Sequence, residues 1–363
     1  MTAGAPDGAD GDLFELTRFL VDTASESFAE GPLVDWLEQE LAALDHLEVT
    51  RLGDNVVART RLGRPMRLVL AGHTDTVPAN DNFPSRVDGD TLWGVGSADM
   101  KGGLAVMLAS ARRHTDPAVD VTYVFYAREE VASVHNGLAE LFATRPDLLE
   151  GDAALLGEPT DGMVEAGCQG TLRVRVTMRG RRAHTARAWM GDNAVHRTAP
   201  LLQALAAYEP RRPELAGCHF HEALLAVSIE GGVSGNVVPD EVAVTIAHRF
   251  APDRTPAEAE AHVREFVAPF LADGDTVELV DVAAGAAPSV EHPLVAALVE
   301  RHHLDVTAKL GWTDVARFAE RGVSAANFGP GDPTIAHTAG EHVERDSIER
   351  TWTALDDLIR SAV

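Results

Sequence analysis

Lysine is almost absent from this chain: only Lys101 and Lys309 stand among its 31 basic residues, so arginine carries nearly all the positive charge. Cysteine is equally scarce. Cys168 and Cys218 make no CxxC pair and are too few to staple 363 residues, so both are expected to be structural thiols. The run Cys218-His219-Phe220-His221 has no further Cys or His to complete a metal site and reads as a loop leading into a strand. No apolar run approaches the ~18 residues needed to cross a bilayer, which argues against a membrane protein. No basic stretch offsets the formal charge of −25, which argues against nucleic acid as a partner and leaves the acidic excess as a solvated surface. The opening segment MTAGAPDGADG lacks the basic and apolar regions of a signal peptide, and predicts a disordered tail over residues 1–11 of a cytoplasmic protein.

What is present is an ordinary globular composition, 45% apolar and 24% charged, in a chain long enough for roughly two domains. Strand-like runs alternate with helical spacing from Asp12 onward: Arg67–Ala71, Val121–Tyr126 and Ala153–Leu156 are β-rich, and Leu104–Arg113 has helical spacing. This rhythm predicts an α/β domain with a mainly parallel central sheet. It changes near Gly170. Thr171–Met178 alternates with period two. A helix (Asn193–Tyr208), two strands (Leu224–Glu230 and Glu241–Phe250), a helix (Pro256–Leu271) and a strand (Thr276–Val282) follow. That βαββαβ order closes into one antiparallel sheet with two helices on one face, a ferredoxin-like insertion. The expected division is therefore a domain of residues 12–170 and 286–363, interrupted by a second one over 171–285.

Seven residues draw attention: His73, Asp75, Asp99, Glu129, Glu130, Glu158 and His337. Each is an imidazole or a carboxylate, the groups that hold divalent metals and move protons. Six of them lie where a predicted strand runs out, the edge at which active sites of α/β sheets collect. In His73-Thr74-Asp75 the polar side chains are two apart and share a face of an extended strand, so Asp75 can orient the imidazole. Glu129 and Glu130 are neighbours and point to opposite sides, which suits two separate jobs, one on metal and one on water. The glycines around Asp99 do not complete GxGxxG or GK[ST], which argues against a nucleotide loop. Two divalent ions bring +4. Asp99, Glu130 and Glu158 bring −3 and one hydroxide −1, so the centre is neutral, as a partly buried site requires. Mixed imidazole and carboxylate ligation suits Zn²⁺, with Co²⁺ or Mn²⁺ meeting the same criteria.

Together, GHTDTVP (72–78), GVGSADMKGG (94–103), AREE (127–130), GEPT (157–160), GRRAHTA (180–186) and the late His337 resemble the co-catalytic zinc aminoacylase, carboxypeptidase and desuccinylase family. The resemblance runs in the family's order from about Leu68 to His342. It implies that His73, Asp99 and Glu158 bind one zinc and that Asp99, Glu130 and His337 bind the other, with Asp99 bridging. It further implies that Asp75 orients His73 and that Glu129 is the general base. The inserted domain would be a lid and dimerisation domain, with His184 reaching the active site of the partner subunit in a homodimer.

A second set of segments resembles the actinobacterial desuccinylase branch of that family: EAGCQGTLRV (165–174), AHTARAWMGDNAVH (183–196), GNVVPD (235–240), RFAPDR (249–254), GWTDVARF (311–318) and NFGPGDP (327–333). This branch implies a small anionic acyl-amino acid as substrate, an N-succinyl diaminopimelate on the route to lysine and the cell-wall cross-link. Arg187 and Arg249 are then candidates to clamp its carboxylates, with Asn236, Trp312 and Thr313 in support. His248 stands where that branch more usually has an aromatic residue, and Thr338-Ala339-Gly340 where it is more charged. The rival readings are another deacylase or peptidase of the family (an acetylornithine deacetylase, an aminoacylase or a dipeptidase) and a metal-binding scaffold without activity. The complete set of ligands and base weighs against the scaffold.

Overall fold

The structure is a computed structural model that describes residues 12–363, so the tail expected over residues 1–11 lies outside the described residues. The described chain divides into two compact units. One comprises residues up to Ala166 together with Ser289–Thr307 and Arg317–Val363; the other comprises Gly167–Pro288 and Ala308–Ala316.

The first unit is built on a mixed eight-stranded sheet in the order Glu48–Leu52, Asn55–Arg59, Asp120–Tyr126, Arg67–His73, Ala153–Leu156, Ser324–Asn327, Val164–Cys168 and Val306–Lys309. Its four central strands, Asp120–Tyr126 to Ser324–Asn327, run parallel, while the strands before Asp120 pair antiparallel. Parallel strands are buried on both faces and read as continuous apolar runs. Asp120–Tyr126 is buried along its whole length, and so is Arg67–His73 beyond its first residue. Helices Leu13–Asp22, Gly31–Ala42, Gly102–Arg113, Pro293–His302 and Arg345–Ser361 contribute their apolar faces to the same core. The first of them starts at Asp12, whose carboxylate accepts the Phe14 N–H at 2.9 Å, a standard N-cap. Helix Gly102–Arg113 lies against the strand end that carries Glu158. A Cβ at Gly103 would sit 2.1 Å from the Gly157 carbonyl oxygen, so only glycine permits this approach.

The second unit is a four-stranded antiparallel sheet in the order Ala223–Gly231, Glu241–Phe250, Gly170–Arg179 and Thr276–Ala283. Leu172, Val174, Val176 and Met178 are buried on one face, with Val242, Val244 and Ile246 beside them, while the residues between them alternate outward. Helix Pro256–Val267 closes this core and starts with a complete capping box between Thr255 and Glu258. The helix expected over Asn193–Tyr208 is two pieces, Ala194–Arg197 and Ala199–Ala206, because Pro200 can only begin a new helix. The edge strand Ala223–Gly231 leaves Leu225, Val227 and Ile229 about half exposed. Cys168 and Cys218 are free and buried, and burial pushes the Cys168 thiol up to about 11, as expected of a structural cysteine.

His248 is fully buried in this sheet. Its Nδ1 lies 2.8 Å from the Ala223 carbonyl, and its Nε2 has no hydrogen-bond partner. Burial lowers its pKa, and the nearby His262 and Arg254 reinforce this against Glu222 and the Ala223 carbonyl. At neutral pH the ring is neutral in both folded and unfolded chains. As pH falls below about 6.5, the unfolded chain takes up a proton that the folded chain refuses, so stability is lost down to the lowered folded pKa. We expect the melting temperature of wild type to fall more between pH 7.5 and 5.5 than that of His248→Gln. Parallel pH profiles for the two proteins would remove His248 as a source of acid lability.

Candidate metal centre

Parallel strands end on the same side of their sheet, and this is what gathers the site. His73 closes Arg67–His73, Glu129 and Glu130 follow Asp120–Tyr126, and Glu158 follows Ala153–Leu156. Asp99 lies in the turn that leads into helix Gly102–Arg113, and His337 in the loop after Ser324–Asn327. Ligand atoms of His73, Asp99 and Glu158 lie within 4.8 Å of one another, as do those of Asp99, Glu130 and His337. A third group, His73, Glu129 and Glu130, meets the same limit.

Asp99 divides its oxygens between the two histidines. Oδ1 is 3.0 Å from His73 Nε2, while Oδ2 is 3.3 Å from His337 Nε2. The same His337 nitrogen is 2.8 Å from Glu130 Oε1. Burial alone would lower the pKa of His73, but the Asp75 and Asp99 carboxylates hold it well above its ordinary value. Asp99 and Glu130 raise His337 to about 10, outweighing its partial burial. The Asp99 carboxyl is held low by His337 and His73 against the raising effect of burial. This donor set therefore draws positive charge into a buried place. Imidazoles, once they give up the added proton, and carboxylates are ligands that divalent zinc takes, so the residues fit a pair of such ions.

Asp75 behaves differently from the simple expectation that its carboxylate orients the imidazole. His73 Nδ1 is 3.0 Å from the Asp75 backbone carbonyl and 3.5 Å from its carboxylate, so the backbone oxygen makes the closer contact. The carboxylate instead accepts the Ser27 hydroxyl at 2.7 Å, the Glu129 N–H at 2.9 Å and the Glu130 N–H at 3.1 Å. Burial would raise its pKa, but His73, Ser27 and the Glu129 N–H hold it down to about 2. One carboxylate thus fixes the turn that carries both glutamates. Ser27 was not legible as a site residue, because it lies 48 positions from its partner with no motif around it.

Glu341 belongs to no recognisable motif, and Lys101 lies in the 94–103 segment without a role that its pattern assigns. Both are almost wholly buried beside the Asp99 turn. Glu341 accepts the Ala98 and Asp99 N–H groups, each at 3.1 Å. Burial raises its pKa to about 7, and Asp99 adds to the shift. Lys101 donates to the Thr23 carbonyl at 2.8 Å, and burial lowers it to about 7 against the pull of Glu341, Asp22 and Asp75. In the sequence, Lys101 stood out by rarity and by its place in the 94–103 segment, and Glu341 not at all.

The other predicted residues belong to the second unit. His184 caps the turn Thr185–Met190: its Nδ1 accepts the Ala186 N–H at 3.0 Å, which puts the ring proton on Nε2 as a donor. Asn236 lies on the neighbouring segment, its carbonyl accepting the Thr185 N–H at 3.0 Å. Arg187 is exposed. Arg249 is half-buried and makes no ion pair among the described residues; burial and the nearby Arg173 lower its pKa. Trp312 donates its indole N–H to the Ala284 carbonyl at 3.1 Å, and the adjacent Thr313 is buried.

Comparison with known proteins places the chain in a family. The model of peptidase family M20/M25/M40 matches residues 69–361. A Mycobacterium tuberculosis protein, named as a candidate succinyl-diaminopimelate desuccinylase DapE, is 48% identical over 353 residues, covering 96% of this chain and 97% of that one. The succinyl-diaminopimelate desuccinylase of Corynebacterium glutamicum is 43% identical over 344 residues, 93% of each chain. Among solved structures, a Staphylococcus aureus tripeptidase superposes with a TM-score of 0.78 at 20% identity over 96% of this chain and 97% of its own. A metallo-carboxypeptidase of Sulfolobus solfataricus does so at 0.76 and 15%, over 96% and 98%. These last two speak for the fold alone. With its family match over most of the length and two relatives above 40% identity, the chain belongs to the M20/M25/M40 family of metal-dependent hydrolases.

Proposed function

We propose that this chain is a succinyl-diaminopimelate desuccinylase, hydrolysing N-succinyl-LL-2,6-diaminopimelate to succinate and LL-2,6-diaminopimelate with two zinc ions per subunit. The observation that carries this reading is near-full-length identity of 43–48% to proteins with that name, in a chain six of whose seven candidate residues fall into compact donor groups. In this reading His73, Asp99 and Glu158 hold one ion, and Asp99, Glu130 and His337 the other; Co²⁺ or Mn²⁺ would serve in place of zinc. When bound, the ions supply Lewis acidity toward the amide carbonyl and toward water.

The protein's own groups do the rest. Glu129 removes the proton of the attacking water and returns it to the leaving amine. Asp75 holds the Glu129–Glu130 turn by two N–H bonds, so the base and a metal ligand keep a fixed separation. The Nε2–H of His184 is the donor for the developing oxyanion, supplied across a homodimer. The second unit is the lid, and the half-exposed Leu225, Val227 and Ile229 on its edge strand favour a second copy as the pairing partner. The substrate carries three carboxylates and one ammonium. Arg249, half-buried without a carboxylate partner among the described residues, suits one of those carboxylates, with Arg187, Asn236, Trp312 and Thr313 as further contacts. A cytoplasmic location agrees with the absence, among the described residues, of any helix long and apolar enough to cross a membrane.

The test is a hydrolysis panel on zinc-loaded protein, offering N-succinyl-diaminopimelate, N-acetylornithine, N-acyl amino acids and dipeptides. We expect the first to be cleaved with the highest kcat/KM. Preference for any other member would replace the substrate and leave the hydrolytic chemistry standing.

A further inference from the structure

Beside the candidate ligands lies one buried carboxylate that has no part in the two-metal reading as ligand or base. Glu341 is 1% exposed. Its Oε1 accepts the N–H groups of Ala98 and Asp99, both at 3.1 Å, so it grips the backbone of the candidate bridging ligand itself. Its own N–H donates to the Thr338 carbonyl at 3.2 Å, in the loop that carries His337. Its carbonyl in turn accepts the Gly94 N–H at 3.2 Å and the Asn82 side-chain amide at 2.9 Å, on the chain that leads into the Asp99 turn. The next residue begins strand His342–Glu344, whose ladder with Thr91–Trp93 sets the position of Glu341 in space.

Two ligands far apart in sequence, Asp99 and His337, are therefore tied to one another through this one residue. His337 needs such a hold, because its φ of 63° is a left-handed conformation that a residue with a Cβ adopts at a cost. The Asp99 turn needs it too. Asp99 and Met100 depart from helical geometry just before the chain enters helix Gly102–Arg113, so regular helical hydrogen bonding does not fix them. Buried carboxyl groups are costly unless hydrogen-bonded, and here one oxygen accepts two N–H groups of the ligand turn. Lys101 secures the far end of the same turn by its bond to the Thr23 carbonyl.

We propose that Glu341 is a positioning residue that clamps the Asp99 turn to the His337 loop and thereby sets the spacing of the metal ligands. The inference rests on the two-metal reading above. Its action is through reach: an oxygen at the end of a glutamate-length side chain meets both N–H groups. Glutamine preserves that oxygen. Aspartate, one methylene shorter, and alanine do not.

The experiment measures zinc stoichiometry and affinity by chelator competition on metal-free full-length protein, with melting temperature as a second readout. Wild type should bind two ions. Glu341→Gln should bind both within a few-fold of wild type, whereas Glu341→Asp and Glu341→Ala should weaken one or both by roughly 10–100-fold, as loss of a ligand-orienting partner does. The metal-free melting temperatures of the aspartate and glutamine variants should agree, which separates the clamp from a general contribution to folding. Should the alanine variant fail to fold, the aspartate and glutamine pair decides. Wild-type affinity in the aspartate variant, or equal losses in both, overturns the clamp while leaving the metal site intact. A wild-type chain that binds fewer than two ions overturns the metal reading itself and the clamp with it.

Discussion

Replacing Glu129 by glutamine should leave both ions in place and cut turnover by at least ~10²-fold, the usual loss when a general base is removed. The expectation that metal stays follows from how the turn is held. Asp75 bonds the backbone N–H groups of Glu129 and Glu130 at 2.9 and 3.1 Å, so an isosteric change in the Glu129 side chain leaves the turn and the Glu130 carboxylate where they were. Glutamine also keeps the volume of glutamate while losing the ability to accept a proton. The measurement is kcat alongside metal content. Near-normal turnover would remove Glu129 as base. Loss of an ion would instead make it a ligand, an outcome its inclusion with His73 and Glu130 in one compact donor group makes worth checking.

Asp99→Ala should do more damage, and of another kind. Each Asp99 oxygen faces a different histidine, at 3.0 and 3.3 Å, so one substitution takes a carboxylate from both ion positions. Metal Lewis acidity contributes several kcal/mol to the transition state, and each ~1.4 kcal/mol is tenfold in rate, so activity should fall at least ~10³-fold. The same variant should lose the rise in melting temperature that zinc gives wild type, because a ligand stabilises only the state that binds it. Asp99→Asn is the conservative companion: it keeps the shape but removes the charge, and should also bind fewer than two ions. Full stoichiometry at wild-type affinity in Asp99→Ala would show that the ions do not share this residue.

The candidate ligand types and their order were readable in the chain because the chemistry demands particular side chains, and those side chains fall at the ends of recognisable strands. His73, Glu129 and Glu158 each follow an apolar run whose burial on both faces could be read from composition alone. The antiparallel order of the second unit was equally local, because period-two alternation in Thr171–Met178 records one buried face. Pro200, which divides the helix expected over Asn193–Tyr208, also stands in the sequence.

What no local pattern could supply is which group holds which. That Asp75 grips the backbone of Glu129 and Glu130 more closely than it meets the His73 ring depends on how two strand ends approach one another, a matter of sheet register. Ser27, Lys101 and Glu341 act through contacts with distant segments, two of them through backbone groups alone. A hydrogen bond to an N–H or a carbonyl requires no particular residue type at its other end, so no motif records it. The sequence by itself offered the candidate metal-binding and proton-moving groups and determined the class of fold that gathers them. The tertiary structure alone decided their spacing and support, because these arise from contacts between segments that only the folded sheet brings within a few ångströms.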